Sequence, residues 1–164
     1  YAEPGSAPPV LSPDVTSNTV DHDLEITFTD NEDWRNHISS ISVDGETLTT
    51  GDYSVAPGII TFIMDNGNPA LVKAGEKAIT VFSSGYDMSE VIQTIQPGEV
   101  DASRSVISFP RGRLYKSSVN MGSVFAVDKF GNPVEGYQFK YSVAITDDSG
   151  NENVYEINGH IIHC

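Results

Sequence analysis

Four histidines and one cysteine are the side chains best suited to nucleophilic or metal chemistry. They are His22, His37, His160, His163 and Cys164. Acyl-transfer hydrolysis needs a nucleophile, a base and an orienting group in contact, and the sequence has neither a nucleophile-elbow motif nor a glycine-rich phosphate loop. A strand over 160–163 would point its two histidines to opposite faces, which makes a poor metal site. We therefore predict that the protein has no catalytic site and that its histidines lie on the surface. For Cys164 we predict a free thiol in preference to an intermolecular disulfide.

Two clusters of oxygen-bearing side chains are candidates for calcium. Asp147, Asp148 and Asn151 surround a glycine, although they lack the twelve-residue spacing of an EF-hand. A plain β-turn is the alternative explanation. Asp30, Glu32 and Asp33 form the second cluster, for which the alternative is a helix cap. No cofactor other than calcium is predicted.

The charge of the chain excludes several classes of partner. Its 164 residues carry 9 basic and 23 acidic side chains, a formal net charge of −14. A polyanion repels nucleic acid and anionic membrane surfaces, so neither is expected to bind. The longest apolar run, residues 59–64, is far too short to span a membrane. A single cysteine allows no disulfide within the chain.

Charge and composition divide the chain into two parts. Residues 1–97 hold 15 acidic and 3 basic side chains, whereas residues 98–164 hold 8 and 6. A Pro-Gly pair and small or acidic residues lie between them, as in a linker. We therefore predict an extended segment over 1–13, one domain over 14–97, a linker over 98–103 and a second domain over 104–164. Basic residues cluster early in the second part: Arg104, Arg111, Arg113 and Lys116.

The elements that would position these residues are mainly β-strands. Leu24, Ile26 and Phe28 alternate with polar residues, which is typical of a half-buried strand. Asp44-Gly45 predicts a tight hairpin, and the apolar run over 59–64 predicts a central strand covered on both faces. One short helix is predicted near residues 31–39, capped by Asp30 and packing its two apolar residues, Trp34 and Ile38, on the sheet. The fold class is all-β, with two tandem immunoglobulin-like β-sandwiches.

Residues 8–97 also resemble a known family, the haemoglobin-interacting domain of Gram-positive surface proteins. The matching segments are Pro9-Val10-Leu11, Ile26-Thr27-Phe28-Thr29-Asp30, Trp34 with Ile38, Ile41-Ser42-Val43-Asp44-Gly45, Leu48, Tyr53, Lys73-Ala74-Gly75, Ile79-Thr80-Val81, Ser84-Gly85-Tyr86, Val91 and Ile95. The resemblance implies an extracellular, cell-surface, non-enzymatic β-domain. It carries no ligand-contacting residue across, because the shared positions are structural. Residues 104–164 are similar to bacterial immunoglobulin-like repeats through the segment 127–136.

These observations lead to one predicted function and two alternatives. We predict a structural module of a bacterial surface, such as an S-layer, wall-associated or filament-forming subunit whose partners are other copies or neighbouring domains. The acidic first part and the basic cluster of the second favour head-to-tail contact between copies. The alternatives are an adhesin that binds haemoglobin, another host protein or a glycan, and an accessory domain of a secreted carbohydrate-active enzyme.

Overall fold

The computed structural model describes residues 5–108, 123–135 and 138–160, and the chain divides into two compact units, Tyr1–Gly98 and Glu99–Cys164. The described part of the first unit contains strands and two short helices. In chain order they are β1 (Leu24–Thr27), α1 (Glu32–Asn36), β2 (Ile38–Val43), β3 (Glu46–Thr47), β4 (Tyr53–Ala56), β5 (Ile59–Phe62), α2 (Pro69–Val72), β6 (Gly75–Ser83) and β7 (Ser89–Ile95).

Two antiparallel sheets form the first unit. Their strand orders are β1-β5-β4 and β3-β2-β6-β7. Each sheet buries alternate residues, such as Leu24 and Ile26 in β1 and Ile79 and Val81 in β6, all fully inaccessible to solvent. The alternation in the sequence therefore predicted the buried faces, because strand side chains alternate between the two sides of a sheet. The all-β prediction is confirmed, and the immunoglobulin-like topology stays a prediction.

The β2–β3 hairpin follows from its turn residues. Asp44 and Gly45 both have positive φ, 50° and 83°, as a two-residue type I′ turn requires. The flanking residues pair in register, Val43 with Glu46. The hairpin predicted from Asp44-Gly45 is confirmed.

Helix α1 is shorter than predicted and begins at a different cap. Asn31, not Asp30, is the N-cap: its side-chain oxygen accepts a hydrogen bond from the Trp34 amide at 3.1 Å. Asp30 is instead occupied by Arg35, whose Nε and Nη2 donate to its carboxylate at 3.0 and 3.2 Å. The helix ends before Ile38, which begins β2, so helical spacing does not relate Ile38 to Trp34. Trp34 is fully buried and packs edge-to-face on Phe28, with ring centroids 5.0 Å apart.

The apolar run over 59–64 forms the central strand of the three-stranded sheet, but that strand ends at Phe62. The loop that follows leads into α2, a helix that the sequence analysis missed. Asn68 caps it by accepting a hydrogen bond from the Ala70 amide at 3.0 Å, and Pro69 occupies its first position. An Asn-Pro pair before Ala-Leu-Val is a recognisable helix start. The helix buries Leu71 completely.

Residues 5–20, here called the strap, lie against both sheets of their own unit. Ser6 pairs in parallel with Tyr86 just before β7, Ser12 pairs with Thr27 of β1, and Thr19 pairs in parallel with Gln96 just after β7. Gly5 lies so close to Asp87 that an added Cβ would sit 2.6 Å from its amide nitrogen. The strap residues within the predicted extended segment are thus docked on the domain.

Two buried hydrogen bonds between Asp14 and Gln93 join the middle of the strap to β7. The Gln93 side chain is fully inaccessible: its oxygen accepts from the Asp14 amide at 2.7 Å and its nitrogen donates to the Asp14 carbonyl at 2.8 Å. The Asp14 carboxylate accepts from the backbone amides of Thr16, Ser17 and Glu25. Burial by itself would raise the pKa of Asp14, but these hydrogen bonds outweigh it and lower that pKa.

The second unit, in its described part, contains two antiparallel strand pairs. Strand β8 (Val106–Ser108) pairs with β9 (Ser123–Phe125), and β10 (Gln138–Thr146) pairs with β11 (Glu152–His160). The independent folding of this unit and its immunoglobulin-like topology stay predictions. Among the described residues of both units, no helix has the length and apolar composition needed to cross a membrane.

Candidate functional site

The exposed large apolar side chains of the first unit occur on only some of its elements. Within residues 5–98 they are Val10, Val15, Phe82, Met88 and Ile92. All lie on the strap, on β6 or on β7 and the residue before it, and the described residues of the three-stranded sheet contribute none. Isolated exposed apolar residues are common, but neighbours on one sheet face form a patch that indicates an interaction surface.

Strand register brings three of these residues together on the outer face of the four-stranded sheet. Ser89, Val91 and Gln93 are buried, so the alternating positions 88, 90, 92 and 94 face outward. Glu90 pairs with Thr80 and Ile92 with Ala78. The ladder ends at the pair Val81 and Ser89, and its continuation by one step would set Met88, the residue before β7, opposite Phe82. We call Phe82, Met88, Glu90 and Ile92 the β6–β7 patch; their apolar members are 39%, 65% and 48% exposed, respectively.

The charge around the β6–β7 patch is negative. Glu76 on β6 and Asp87 before β7 are also exposed, like Glu90. Of the unit's three basic side chains, Arg35 is paired with Asp30, Lys77 is buried 3.8 Å from Asp44, and Lys73 is exposed just before β6, outside the patch. A surface of this sign attracts and orients a partner with positive potential.

Helix α1 holds the β6–β7 turn beside the patch. The Tyr86 hydroxyl donates to the Asp33 carboxylate at 2.8 Å, and the Ser84 amide donates to the His37 carbonyl at 2.9 Å. The hydrogen bond to Asp33 raises the pKa of Tyr86, and some burial adds to that effect, so the phenol stays protonated at neutral pH. The Ser83 hydroxyl also donates to the Trp34 carbonyl, at 2.7 Å. These contacts fix the end of the sheet where Phe82 and Met88 lie.

The calcium candidates at residues 147–151 form a self-contained turn. Asp147 Oδ1 accepts from the amides of Ser149 and Asn151, both at 2.9 Å, and its Oδ2 accepts from the Asn151 side chain at 3.2 Å. The Asn151 amide and side chain are the main reasons that the pKa of Asp147 is lowered. Asp148 is exposed in the same turn. The carboxylate is therefore occupied by turn donors, as the β-turn alternative expects.

The same turn occurs a second time in the second unit, at residues 128–132. Asp128 Oδ1 accepts from the amides of Phe130 and Asn132, both at 2.9 Å, and its Oδ2 accepts from the Asn132 side chain, also at 2.9 Å. In both turns the glycine before the asparagine has positive φ, 86° at Gly131 and 84° at Gly150. The shared pattern Asp-x-x-Gly-Asn thus specifies the conformation of this turn. In the described ranges, no group of three or more His, Cys, Asp or Glu side chains is placed to hold a metal ion, Asp30, Glu32 and Asp33 included.

The remaining predicted site residues are only partly described. Arg104 is exposed and lies 3.9 Å from the Asp101 carboxylate. Arg111, Arg113, Lys116, His163 and Cys164 lie outside the described residues, so an assembly role of the basic cluster and the state of the thiol stay predictions. His22 and His37 are exposed, as predicted.

The sequence analysis missed both the β6–β7 patch and the hydrogen bonds between Asp14 and Gln93. Val91 and Ile95 follow the alternation of a half-buried strand, but Ile92 is apolar on the opposite face, and that departure was a usable signal for the patch. No local signal joins Asp14 to Gln93, which are 79 positions apart.

Comparison with known proteins places the first unit in a family. A search of curated proteins and a search of solved structures each returned no match. A family model described as "Heme-binding protein Shr-like, Hb-interacting domain" matches residues 11–96, which include most of the strap, both sheets and the β6–β7 patch. Since the match spans 86 of 164 residues and confirms the resemblance found in the sequence, the chain belongs to this Hb-interacting domain family.

Proposed function

We propose that residues 11–96 form a non-catalytic, surface-displayed domain that binds haemoglobin through the β6–β7 patch. The observation that carries this proposal is the patch itself, three exposed apolar side chains at outward-facing positions of β6, β7 and the residue before β7. The description of the family supplies the class of ligand. Among the functions considered from the sequence, the family favours the ligand-binding alternative over the structural subunit.

An open sheet face suits a protein ligand. Stable protein–protein contacts bury roughly 800 Å² on each partner, with apolar and aromatic side chains at the centre and polar residues at the rim. Phe82, Met88 and Ile92 supply such apolar side chains, and the exposed carboxylates of Glu76 and Asp87 lie outside the patch. The contacts from α1 hold the turn between β6 and β7 in place, which reduces the entropy lost on binding.

Replacing Ile92 or Met88 by serine tests this proposal. We expect each variant to bind haemoglobin about 10- to 100-fold more weakly than the wild type, because central apolar contacts dominate interface energy. The measurement is equilibrium binding of haemoglobin to the immobilised full chain. Both side chains are already largely exposed, so the thermal midpoint should change little.

Val154→Ser is the matched control for these variants. Val154 is 61% exposed on β11 of the second unit, outside the residues that the family model matches. We expect it to bind haemoglobin like the wild type. Equal affinity of Ile92→Ser, Met88→Ser and the wild type would exclude the patch as the contact surface.

A further inference from the structure

Glu90 lies at the centre of the β6–β7 patch. Along its own chain segment, Ile92 of β7 and Met88, the residue before β7, are its neighbours two positions away. Across the ladder it pairs with Thr80, which makes Phe82 and Ala78 its diagonal neighbours. Such neighbours are close enough for side chains to touch. The carboxylate therefore has apolar side chains as its neighbours along the strand and on the diagonals, and a threonine directly opposite, on a face that the proposed ligand would cover.

The hydrogen-bonding state of this carboxylate decides what a ligand must supply. Among the described residues, no donor makes a hydrogen bond or an ion pair with the Glu90 side chain. Water solvates it in the free protein. A ligand that covers the patch removes that water, and an ionised carboxylate that loses water without gaining a partner costs far more free energy than an apolar contact returns. Any tight ligand must therefore bring a donor to this position.

We propose that the ligand places a basic side chain against Glu90, so that Glu90 determines which proteins the patch accepts. This inference rests on the proposed function and specifies the chemistry of the partner's surface. A cation fits better than a neutral donor because Glu76 and Asp87 add negative potential and the unit's described basic side chains are paired, buried or outside the patch. Arginine fits best, since its planar group can bind a carboxylate with two hydrogen bonds and stack on an exposed ring such as Phe82.

The alternative role of Glu90 is protective. A charge inside an exposed apolar patch on an edge strand opposes self-association of the sheet, without any contact to a ligand. The two roles predict opposite results when the charge is removed. A recognition role makes binding weaker, whereas a protective role leaves binding unchanged or makes it tighter, because the desolvation cost disappears.

Haemoglobin binding by the full-length wild type, Glu90→Gln, Glu90→Lys and Glu25→Gln, measured from 50 to 500 mM NaCl, distinguishes these roles. Glu25 is a matched control: it is an exposed glutamate on edge strand β1, it also pairs with a threonine, Thr61, and its replacement removes the same charge from the same unit. We expect Glu90→Gln to bind about 10-fold more weakly and Glu90→Lys at least 100-fold more weakly. Glu25→Gln should stay within about twofold of the wild type.

Salt provides a second readout. The affinity of the wild type should fall as NaCl rises, and the fall should be smaller for Glu90→Gln, because the variant has lost the ion pair that salt screens. If the wild type binds haemoglobin and Glu90→Gln binds it equally well or more tightly, the inference is overturned while the proposed function stands. Equal losses in Glu90→Gln and Glu25→Gln would also overturn it, by assigning the effect to net charge. Failure of the wild type to bind haemoglobin at any salt concentration would overturn the proposed function and this inference together.

Discussion

Replacement of Trp34 by alanine should destabilise the first unit by about 3–5 kcal/mol, the largest effect that we expect from a single substitution in this chain. The side chain is fully buried and packs edge-to-face on Phe28, so its removal leaves a cavity and deletes an aromatic pair. Urea unfolding followed by circular dichroism measures the change. A cost below about 1 kcal/mol would contradict the packing described here.

Trp34→Phe is the informative control for that experiment. The indole nitrogen of Trp34 is buried and has no hydrogen-bond partner among the described residues. Phenylalanine removes this unpaired donor, which offsets part of the free energy lost with the smaller ring. We therefore expect a cost of about 1–2 kcal/mol, well below that of alanine. A phenylalanine variant as unstable as the alanine variant would contradict this account of the indole nitrogen.

Replacement of Asp14 by alanine should cost about 2–3 kcal/mol at neutral pH, because three backbone amides lose their acceptor. The cost should depend on pH in a defined direction. The native pKa of Asp14 is below its usual value of 3.8, so its ionised form stabilises the fold above that value. This contribution should be lost as the pH falls from about 3.8 through the native pKa.

Asp14→Asn separates the charge from the hydrogen bonds. The amide keeps one acceptor oxygen in place but cannot ionise, so we expect a smaller loss of stability than for alanine. The variant should also lack the pH-dependent part of the stability that ionised Asp14 gives the wild type. Chemical unfolding of the three proteins between pH 3 and pH 7 gives the comparison. A stability difference between the wild type and Asp14→Asn that stays constant down to pH 3 would contradict the lowered pKa.

Local patterns in the sequence predicted local structure well and long-range structure poorly. The Asp44-Gly45 hairpin and the central position of the strand over 59–62 follow from local turn chemistry and composition. The expectation that this strand is covered on both faces was wrong, because only Ile60 and Phe62 on one face are fully buried. The helix cap was wrong by one position because Asp30 has an ion-pair partner, Arg35, that competes for its carboxylate. The partners of the strap could not be inferred, since an isolated glutamine such as Gln93 reads as a surface residue until its distant acceptor is known.

The candidate site likewise combines a property that the sequence predicts with one that depends on long-range pairing. The negative charge of the first part was evident from composition, and it is the reason that nucleic acid and anionic membranes are not expected to bind. The patch needed the register of β6 against β7, because only that register brings Phe82, Met88 and Ile92 around one glutamate. A one-residue slip would have moved Ile92 to the buried side.

The parallel course of the strap and β7 also determines how the unit carries tension. The strap is bonded to the chain near the start of β7 through Ser6 and near its end through Thr19, and both segments run in the same direction. A pull on the backbone before Ser6 and after Gln96 therefore slides the two segments past each other. All bonds between them, including those of Gln93, are then loaded together in shear and cannot open one at a time. Such a geometry slows forced unfolding, which is governed by a rate and not by equilibrium stability.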